Sequence, residues 1–169
     1  MPVRLRIAGF AISVPRAFEA NTLYDTPEQE LRKNGRIVRL RQVGDRNVIT
    51  WKGPGVPGRH KVRTELETSI GSLPIMNQIL ENLGYKAQFR YEKFRTEFRQ
   101  NESLEGVVTL DETPIGDFLE LEGSGGWIDA TAATLGFGGD QYVLESYVGL
   151  YLSDCARRHV EPSDMVFAS

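Results

Sequence analysis

Glu120 and Glu122 stand two residues apart in the segment Asp117 to Glu122. On a strand, both carboxylates leave the same face. Such a pair suits Mg²⁺ or Mn²⁺ bridging phosphate oxygens, because these ions take one or two protein carboxylates beside substrate phosphates. Three further alternating segments place charge on one face: Arg39 with Arg41; Arg63 with Glu65 and Glu67; Lys93 with Arg95 and Glu97. Guanidinium forks and lysine ammonium groups are the natural ligands of phosphate oxygens. A triphosphate carries several negative charges, so several cations must converge on it. Two arrangements produce this alternation. One is an antiparallel sheet with a solvated face. The other is a closed barrel of about eight strands with a charged lumen. The pattern alone leaves both open.

The elements that hold these groups follow from the same periodicity. Arg36 to Val43 and Asn47 to Lys52 alternate on either side of Gly44-Asp45 and predict a hairpin. Gly53 to Gly58, rich in glycine and proline, predicts a loop. His60 to Ile70 predicts the next strand. In Ser72 to Leu83 the apolar residues Leu73, Met76, Ile79, Leu80 and Leu83 follow helical spacing, and Gly84 is a natural stop. Ala87 to Phe98, Gly106 to Asp111 and Asp117 to Glu122 predict three more strands. Asp129 to Leu135 predicts a short helix, Gln141 to His159 a longer one, and the tail after Pro162 is expected to be loose. Short links make neighbouring strands antiparallel, and helices between strand groups make the class α+β. A weak repeat relates the block after Gly9-Phe10 to the block after Gly84-Tyr85. The second block follows a strand and a helix. Before Gly9 there is only PVRLRIA, with no room expected for a helix. Unrelated halves are the alternative.

Bulk properties narrow the classes. The 169 residues suit a single domain, 1–169, and need neither disulfides nor structural metal to form a core. Net charge is −3, so no basic excess points to nucleic acid. The single cysteine, Cys155, forms neither an internal disulfide nor a thiolate metal site, and it points to a reducing, cytoplasmic setting. The start of the chain, interrupted by Arg4 and Arg6, is not expected to act as a signal peptide. No apolar run approaches the roughly 20 residues of a membrane helix. Gly53 to Arg59 lacks the Lys-Ser/Thr ending of a phosphate-binding P-loop. His60 and His159 have no spacing partner, Cys155 sits in a helical pattern, and Trp51 and Trp127 read as packing residues. The helix face Tyr147 to Leu152 is expected to pack outside a barrel, or else to form a dimer contact. Monomer and homodimer both remain open.

An ordered series of segments carries a resemblance. TLYDTP at Thr22 to Pro27, GRIVRLRQ at Gly35 to Gln42 and TWKGP at Thr50 to Pro54 come first. HKVRTELET at His60 to Thr68, NLGY at Asn82 to Tyr85 and YEKFRTEF at Tyr91 to Phe98 follow. VVTLDETPIGDFLELEG at Val107 to Gly123 and Ser146-Tyr147 complete the set. The series resembles the CYTH superfamily of triphosphate tunnel metalloenzymes, which takes in class IV adenylate cyclases, thiamine triphosphatases and inorganic triphosphatases. It looks most like the bacterial class IV cyclase branch. The resemblance implies an antiparallel eight-stranded tunnel with flanking helices and a cofactor of Mg²⁺ or Mn²⁺. The implied substrate is a triphosphate: ATP, tripolyphosphate or thiamine triphosphate. By position, Arg39, Arg41, Lys52, Arg63, Lys93 and Arg95 are the implied substrate ligands. Glu65 and Glu67 on one strand, with Asp111, Glu120 and Glu122, are the implied metal ligands. Tyr24 and Lys52 are the implied catalytic pair of a hydrolase.

One departure stands out. Relatives begin with a Glu-x-Glu-x-Lys strand whose glutamates bind metal, followed by a helix. This chain begins Met1-Pro2-Val3-Arg4-Leu5-Arg6 and has no acidic residue before Glu19. Either that strand and helix are missing from this frame, or metal binding is weakened, with Arg4 or Arg6 as the strand's cation. The expected chemistry is metal-assisted phosphoryl or nucleotidyl transfer, as a triphosphatase or an adenylate cyclase. The alternatives are a non-catalytic polyphosphate- or nucleotide-binding module and a fold used only for protein contact.

Overall fold

The structure is a computed structural model that describes residues 1–100 and 105–168. Two long neighbouring strands form its spine: β1, Phe10–Asp25, and β5, Lys86–Gln100. They run antiparallel, with Glu19 opposite Lys93 and Asn21 opposite Tyr91. From β1 the sheet continues through β2, Ile37–Val43, and β3, Arg46–Lys52, to β4, Glu65–Ile70. From β5 it continues through β6, Gly106–Thr113, to β7, Gly116–Gly123. The order is β4-β3-β2-β1-β5-β6-β7, and all the pairings are antiparallel. The α+β class is therefore as expected, with seven strands where eight were expected. Among the described residues, no ladder joins the two edge strands, β4 and β7.

The helices are α1, Pro2–Ile7; α2, Glu30–Lys33; α3, Leu73–Asn82; α4, Gly125–Thr134; and α5, Tyr147–Arg158. Ser72 caps α3 by accepting the backbone N–H of Ile75 at 3.4 Å. Gly84, at φ +91°, turns the chain out of that helix into β5. Gly9, at φ +82°, does the same between α1 and β1. The repeat is thus real in topology: α1-β1-β2-β3 and α3-β5-β6-β7 run outward from the spine in opposite directions. The expectation of no helix before Gly9 was wrong, because Pro2 starts a short one. Arg4 and Arg6 lie on that helix, so neither is a strand cation.

Two apolar clusters fix the faces of the sheet. Leu5, Phe10, Phe98, Val108 and Leu135 pack α1 and α4 onto the β5–β6–β7 half. Tyr24, Leu31, Val38, Leu40 and Leu80 pack α2 and α3 onto the β1–β2–β3 half. Full burial of an apolar side chain of this size contributes roughly 1.5–3 kcal/mol. These clusters commit one face of each strand to the core, and the alternate residues must face the other way. Trp127 lies flat over Gly106 and Gly123, which are opposite each other in register, and a Cβ at Gly106 would come within 2.5 Å of its ring.

Several boundaries differ from expectation. The strand expected from His60 begins at Glu65. Before it the chain forms a ribbon, with Val56 bridged to Val62. The helix expected at Asp129 starts at Gly125. The helix expected over Gln141 to His159 is a turn at Gly139–Gln141 followed by α5. The tail is not loose up to Ala168, and Ser169 lies outside the described residues. Met165 is buried and bridges to Tyr91 in parallel, exchanging backbone hydrogen bonds with Arg90 and Glu92 at 2.9 Å. It fills the stretch of β5 that β6 is too short to cover. No helix is long and apolar enough to cross a membrane among the described residues.

Candidate functional site: a charged tunnel

The face away from α1 to α4 encloses a cavity of about 490 Å³. Its lining includes Glu65 and Glu67 from one sheet edge and Glu120 and Glu122 from the other, so the sheet curls until its edges share one space. Arg39, Arg41, Lys52, Arg63, Lys93 and Arg95 line it as well. The charged faces line one cavity as the lumen arrangement expected, but the sheet of seven strands is not closed into a barrel by a ladder among the described residues.

The strand register writes the charge pairs. Lys52 lies directly opposite Glu65, Thr50 opposite Glu67, Glu19 opposite Lys93 and Arg95 opposite Asp111. Directly opposed side chains on one face are the contacting unit of a sheet. Lys52 Nζ lies 2.8 Å from Glu65 Oε2, and Arg63 Nε donates to Glu65 Oε1 at 3.0 Å. Burial raises the Glu65 carboxyl, but Lys52 and then Arg63 outweigh it, so the net displacement is downward. Burial, and next the charge of Arg39, hold Lys52 down at about 8 against the partial compensation of Glu65. Arg39 Nη2 donates to Thr50 Oγ1 at 3.0 Å and lies 3.5 Å from Glu67 Oε2.

Asp111 is the hub on the other side. Lys93 Nζ donates to Oδ2 at 2.7 Å, Arg95 Nε to Oδ1 at 2.7 Å and Tyr147 Oη to Oδ2 at 2.6 Å. Burial pushes Asp111 up, but Arg95 and Lys93 prevail and bring it to about 2. Arg95 also pairs with Glu120. Tyr147 is driven up by burial and then by Glu120 and Asp111, so it stays a hydrogen-bond donor. This tyrosine comes from the first turn of α5. Its ring packs on Tyr91 and Phe118 and lies 5.2 Å from Lys93 Nζ. α5 therefore closes part of the tunnel from within, against the expectation that it packs outside.

The expected site residues divide. All six expected cations and Glu65, Glu67, Glu120 and Glu122 line one cavity. Asp111 is buried behind it, with its oxygens engaged by three donors, which makes it an anchor of cations and not an open metal ligand. Tyr24 does not join Lys52. On β1 the inner residues are Glu19, Asn21 and Leu23, so Tyr24 faces outward and donates to Asn77 Oδ1 of α3 at 2.6 Å. The metal-ligand set does not gather as one cluster: no group of three acidic, histidine or cysteine side chains is placed to hold a metal among the described residues. Glu120 and Glu122 remain adjacent on one face, and Glu122 has no ion-pair partner among the described residues. As hard oxygen donors, the two fit an ion that takes its other ligands from phosphate.

The sequence of this chain matches the family model for the CYTH domain over residues 5–134. The chain belongs to the CYTH domain family. This CYTH chain is 29% identical over 121 residues to a protein of Methanocaldococcus jannaschii named "Putative adenylate cyclase", covering 72% of the chain and 67% of that protein. Its fold resembles the PH1819 protein of Pyrococcus horikoshii OT3 at a TM-score of 0.77 and 21% identity, over 90% and 92% of the two chains. It also resembles the Hippeastrum protein HpAC1, a "Putative adenylyl cyclase" described as having a dominant triphosphatase activity. There the TM-score is 0.63 at 15% identity, over 85% of each chain. At these identities the structural likenesses show the fold alone.

Inspection of the sequence missed several parts of the CYTH tunnel. Glu19 is buried, with Oε1 3.4 Å from Arg41 Nη1 and Oε2 3.6 Å from Lys93 Nζ. Asn21 accepts from Arg41 Nε at 3.0 Å. Extending the period-two alternation back through Leu23 would have found both. Lys61 and Tyr147 also line the cavity; Lys61 shares the period-two parity of Arg63, Glu65 and Glu67, whereas no spacing signal points to Tyr147. Glu19 Oε2, Asn21 Nδ2 and Arg39 Nε are buried without a hydrogen-bond partner among the described residues. Folded proteins seldom leave such atoms unpaired.

Proposed function

We propose that this chain binds a triphosphate in the tunnel and catalyses phosphoryl or nucleotidyl transfer on it with Mg²⁺ or Mn²⁺. The observation that carries this is the convergence of Arg39, Arg41, Lys52, Arg63, Lys93 and Arg95 on one cavity. Preorganised cations in a partly dry site stabilise charge developing on phosphate oxygens without reorganisation at the moment of reaction. Arg39 and Arg41 hold one side of the substrate and Lys93 and Arg95 the other, kept in place by Glu19 and Asp111. Glu120 and Glu122 would hold the divalent ion, which would neutralise charge on the phosphate oxygens. Lys52, with a pKa of about 8, is mainly a phosphate-binding cation at neutral pH, and its neutral amine, which can accept the proton of an attacking water, becomes the major form only as pH rises through that value. In the hydrolytic reaction that water attacks the terminal phosphorus, the bond from that phosphorus to its bridging oxygen breaks, the diphosphate part departs, and the attacked group is released as inorganic phosphate. In the cyclising reaction a ribose 3′-hydroxyl attacks the α-phosphorus and pyrophosphate leaves. The name of the M. jannaschii relative favours the second, and the activity of the Hippeastrum neighbour favours the first.

A non-catalytic binding module is the second reading, favoured by the pairing of Asp111, Glu65, Glu67 and Glu120 with protein cations. Turnover decides between them. Tripolyphosphate, ATP and thiamine triphosphate are offered with Mg²⁺ and with Mn²⁺, with the Glu120→Gln/Glu122→Gln double variant as control. Phosphate release or cyclic AMP formation that the control lacks supports an enzyme. Tight binding with no product from any substrate sinks the catalytic reading.

A further inference from the structure

Between β3 and β4, residues Gly53 to Thr64 form a ribbon. Gly53 N–H donates to Thr64 O and Val56 N–H to Val62 O, each at 2.8 Å. Its tip reaches α4. Arg59 Nη2 and His60 Nε2 each lie 3.4 Å from Asp129 Oδ1 of α4, the helix that follows β7. Tyr142 Oη donates to the same oxygen at 2.9 Å, and the Arg59 guanidinium lies 5.6 Å from the Tyr142 ring centroid. The Tyr142 hydrogen bond, and then Arg59 and His60, hold Asp129 below the usual carboxylate range, which keeps it an anion. The ribbon thus spans the side of the sheet where β4 and β7 have no ladder between them.

The next residue after the tip is Lys61, which lines the cavity. The other cavity cations are matched: Arg39 with Glu67, Arg41 with Glu19, Lys52 and Arg63 with Glu65, Lys93 and Arg95 with Asp111. Lys61 is the one cavity cation with no ion pair among the described residues. Consecutive Cα atoms are about 3.8 Å apart, so moving His60 off Asp129 moves Lys61 too.

We propose that the ribbon is a clasp whose tip, seated on Asp129 and Tyr142, holds Lys61 over the open side of the tunnel as a further substrate-phosphate ligand. This rests on the triphosphate reading above. Asp129 is then a positioning residue that acts through the clasp without touching substrate.

The test is calorimetric titration of the full chain with tripolyphosphate in metal-free buffer, paired with hydrogen exchange of residues 53–64. Lys61→Ala is expected to weaken binding roughly tenfold, the scale of one lost charge-assisted contact. Asp129→Ala should weaken it by a similar factor in the native background and hardly at all in the Lys61→Ala background. Asp129→Glu should restore most of the affinity. Exchange in 53–64 should quicken in Asp129→Ala while the amides of β1 and β5 keep their protection. Tyr142→Phe, which removes one hydrogen bond, gives the milder form of the same result if Asp129→Ala folds poorly. Native affinity in Lys61→Ala, or an Asp129 effect that persists undiminished without Lys61, overturns the proposal. So does a loss of thermal stability in Asp129→Ala with affinity unchanged. If the unmodified chain binds tripolyphosphate neither in metal-free buffer nor with Mg²⁺, the triphosphate reading falls and the ligand role of Lys61 falls with it. Unchanged exchange in 53–64 overturns the clasp alone.

Discussion

Lys93 and Asp111 meet across neighbouring strands with Nζ 2.7 Å from Oδ2, and their side chains are 2% and 0% exposed. Removing one member of such a pair strands the other in a poorly solvated site. Asp111→Asn is therefore expected to cost about 3–5 kcal/mol of stability, read by chemical denaturation. A loss under about 1 kcal/mol, the range of surface pairs, would show that the tunnel is wetter than its geometry indicates.

Acid should weaken the same hub. The folded pKa of Asp111, about 2, is depressed from an ordinary 3.8. The unfolded chain therefore binds the proton more tightly. The stabilisation is complete above the unfolded value and is lost as pH falls from about 4 through about 2. One unit is worth about 1.4 kcal/mol, so roughly 2 kcal/mol disappears across that window. Stability of the unmodified chain should fall more steeply there than that of Asp111→Asn, and parallel curves would contradict the assignment.

Lys52 carries the opposite pH signature. Its folded pKa of about 8 means that the cation fades as pH rises through that value. Metal-free affinity for tripolyphosphate should decline through the same range. Lys52→Arg, which stays charged, should flatten the decline that belongs to the lysine. If the two proteins lose affinity in parallel, Lys52 is not the titrating group.

Tyr24→Phe tests which face of β1 is functional. It removes only the hydrogen bond to Asn77 on the outer face. Turnover should stay within about twofold, and stability should drop by about 1 kcal/mol, the usual worth of one such bond. A collapse of turnover with stability retained would place Tyr24 in the tunnel after all.

Gly106→Ala should disturb Trp127. The new methyl would come within 2.5 Å of the indole ring, so the ring must shift or the strand must bend. Overpacking of this kind costs typically 1–3 kcal/mol, and Trp127 fluorescence should change with it.

Much of the tunnel was legible because period-two alternation carries two messages at once. In Arg39-Leu40-Arg41 and Glu120-Leu121-Glu122, the leucines mark the helix-covered face and the charges mark the other. The alternation cannot say whether the charged face meets water or meets itself, because curling is a property of the whole sheet. The expectation for Tyr24 rested on the resemblance and not on alternation: tyrosine suits either face, and the inner placement of Leu23 and Asn21 settles the parity. Tyr147 was placed on the wrong side because helical periodicity locates a stripe on a helix, not the surface that receives it. α1 was missed because six residues are too few for a helical period to show. The contact of Asp129 with His60 joins segments with no shared pattern, and it exists only because the sheet's two ends come round to one space.

The pairing of β1 with β5 has a consequence for how the molecule assembles. The hairpins β2–β3 and β6–β7 close over a few residues each, but Glu19 finds Lys93 only after the whole intervening stretch has been gathered in. Such non-local pairings slow folding, because chain entropy must be surrendered before the contacts that offset it form. Each half can collect its hairpins early, whereas the anion-binding surface is divided across the spine and exists in neither half alone. In refolding from denaturant, secondary structure should therefore return well before the capacity to bind tripolyphosphate.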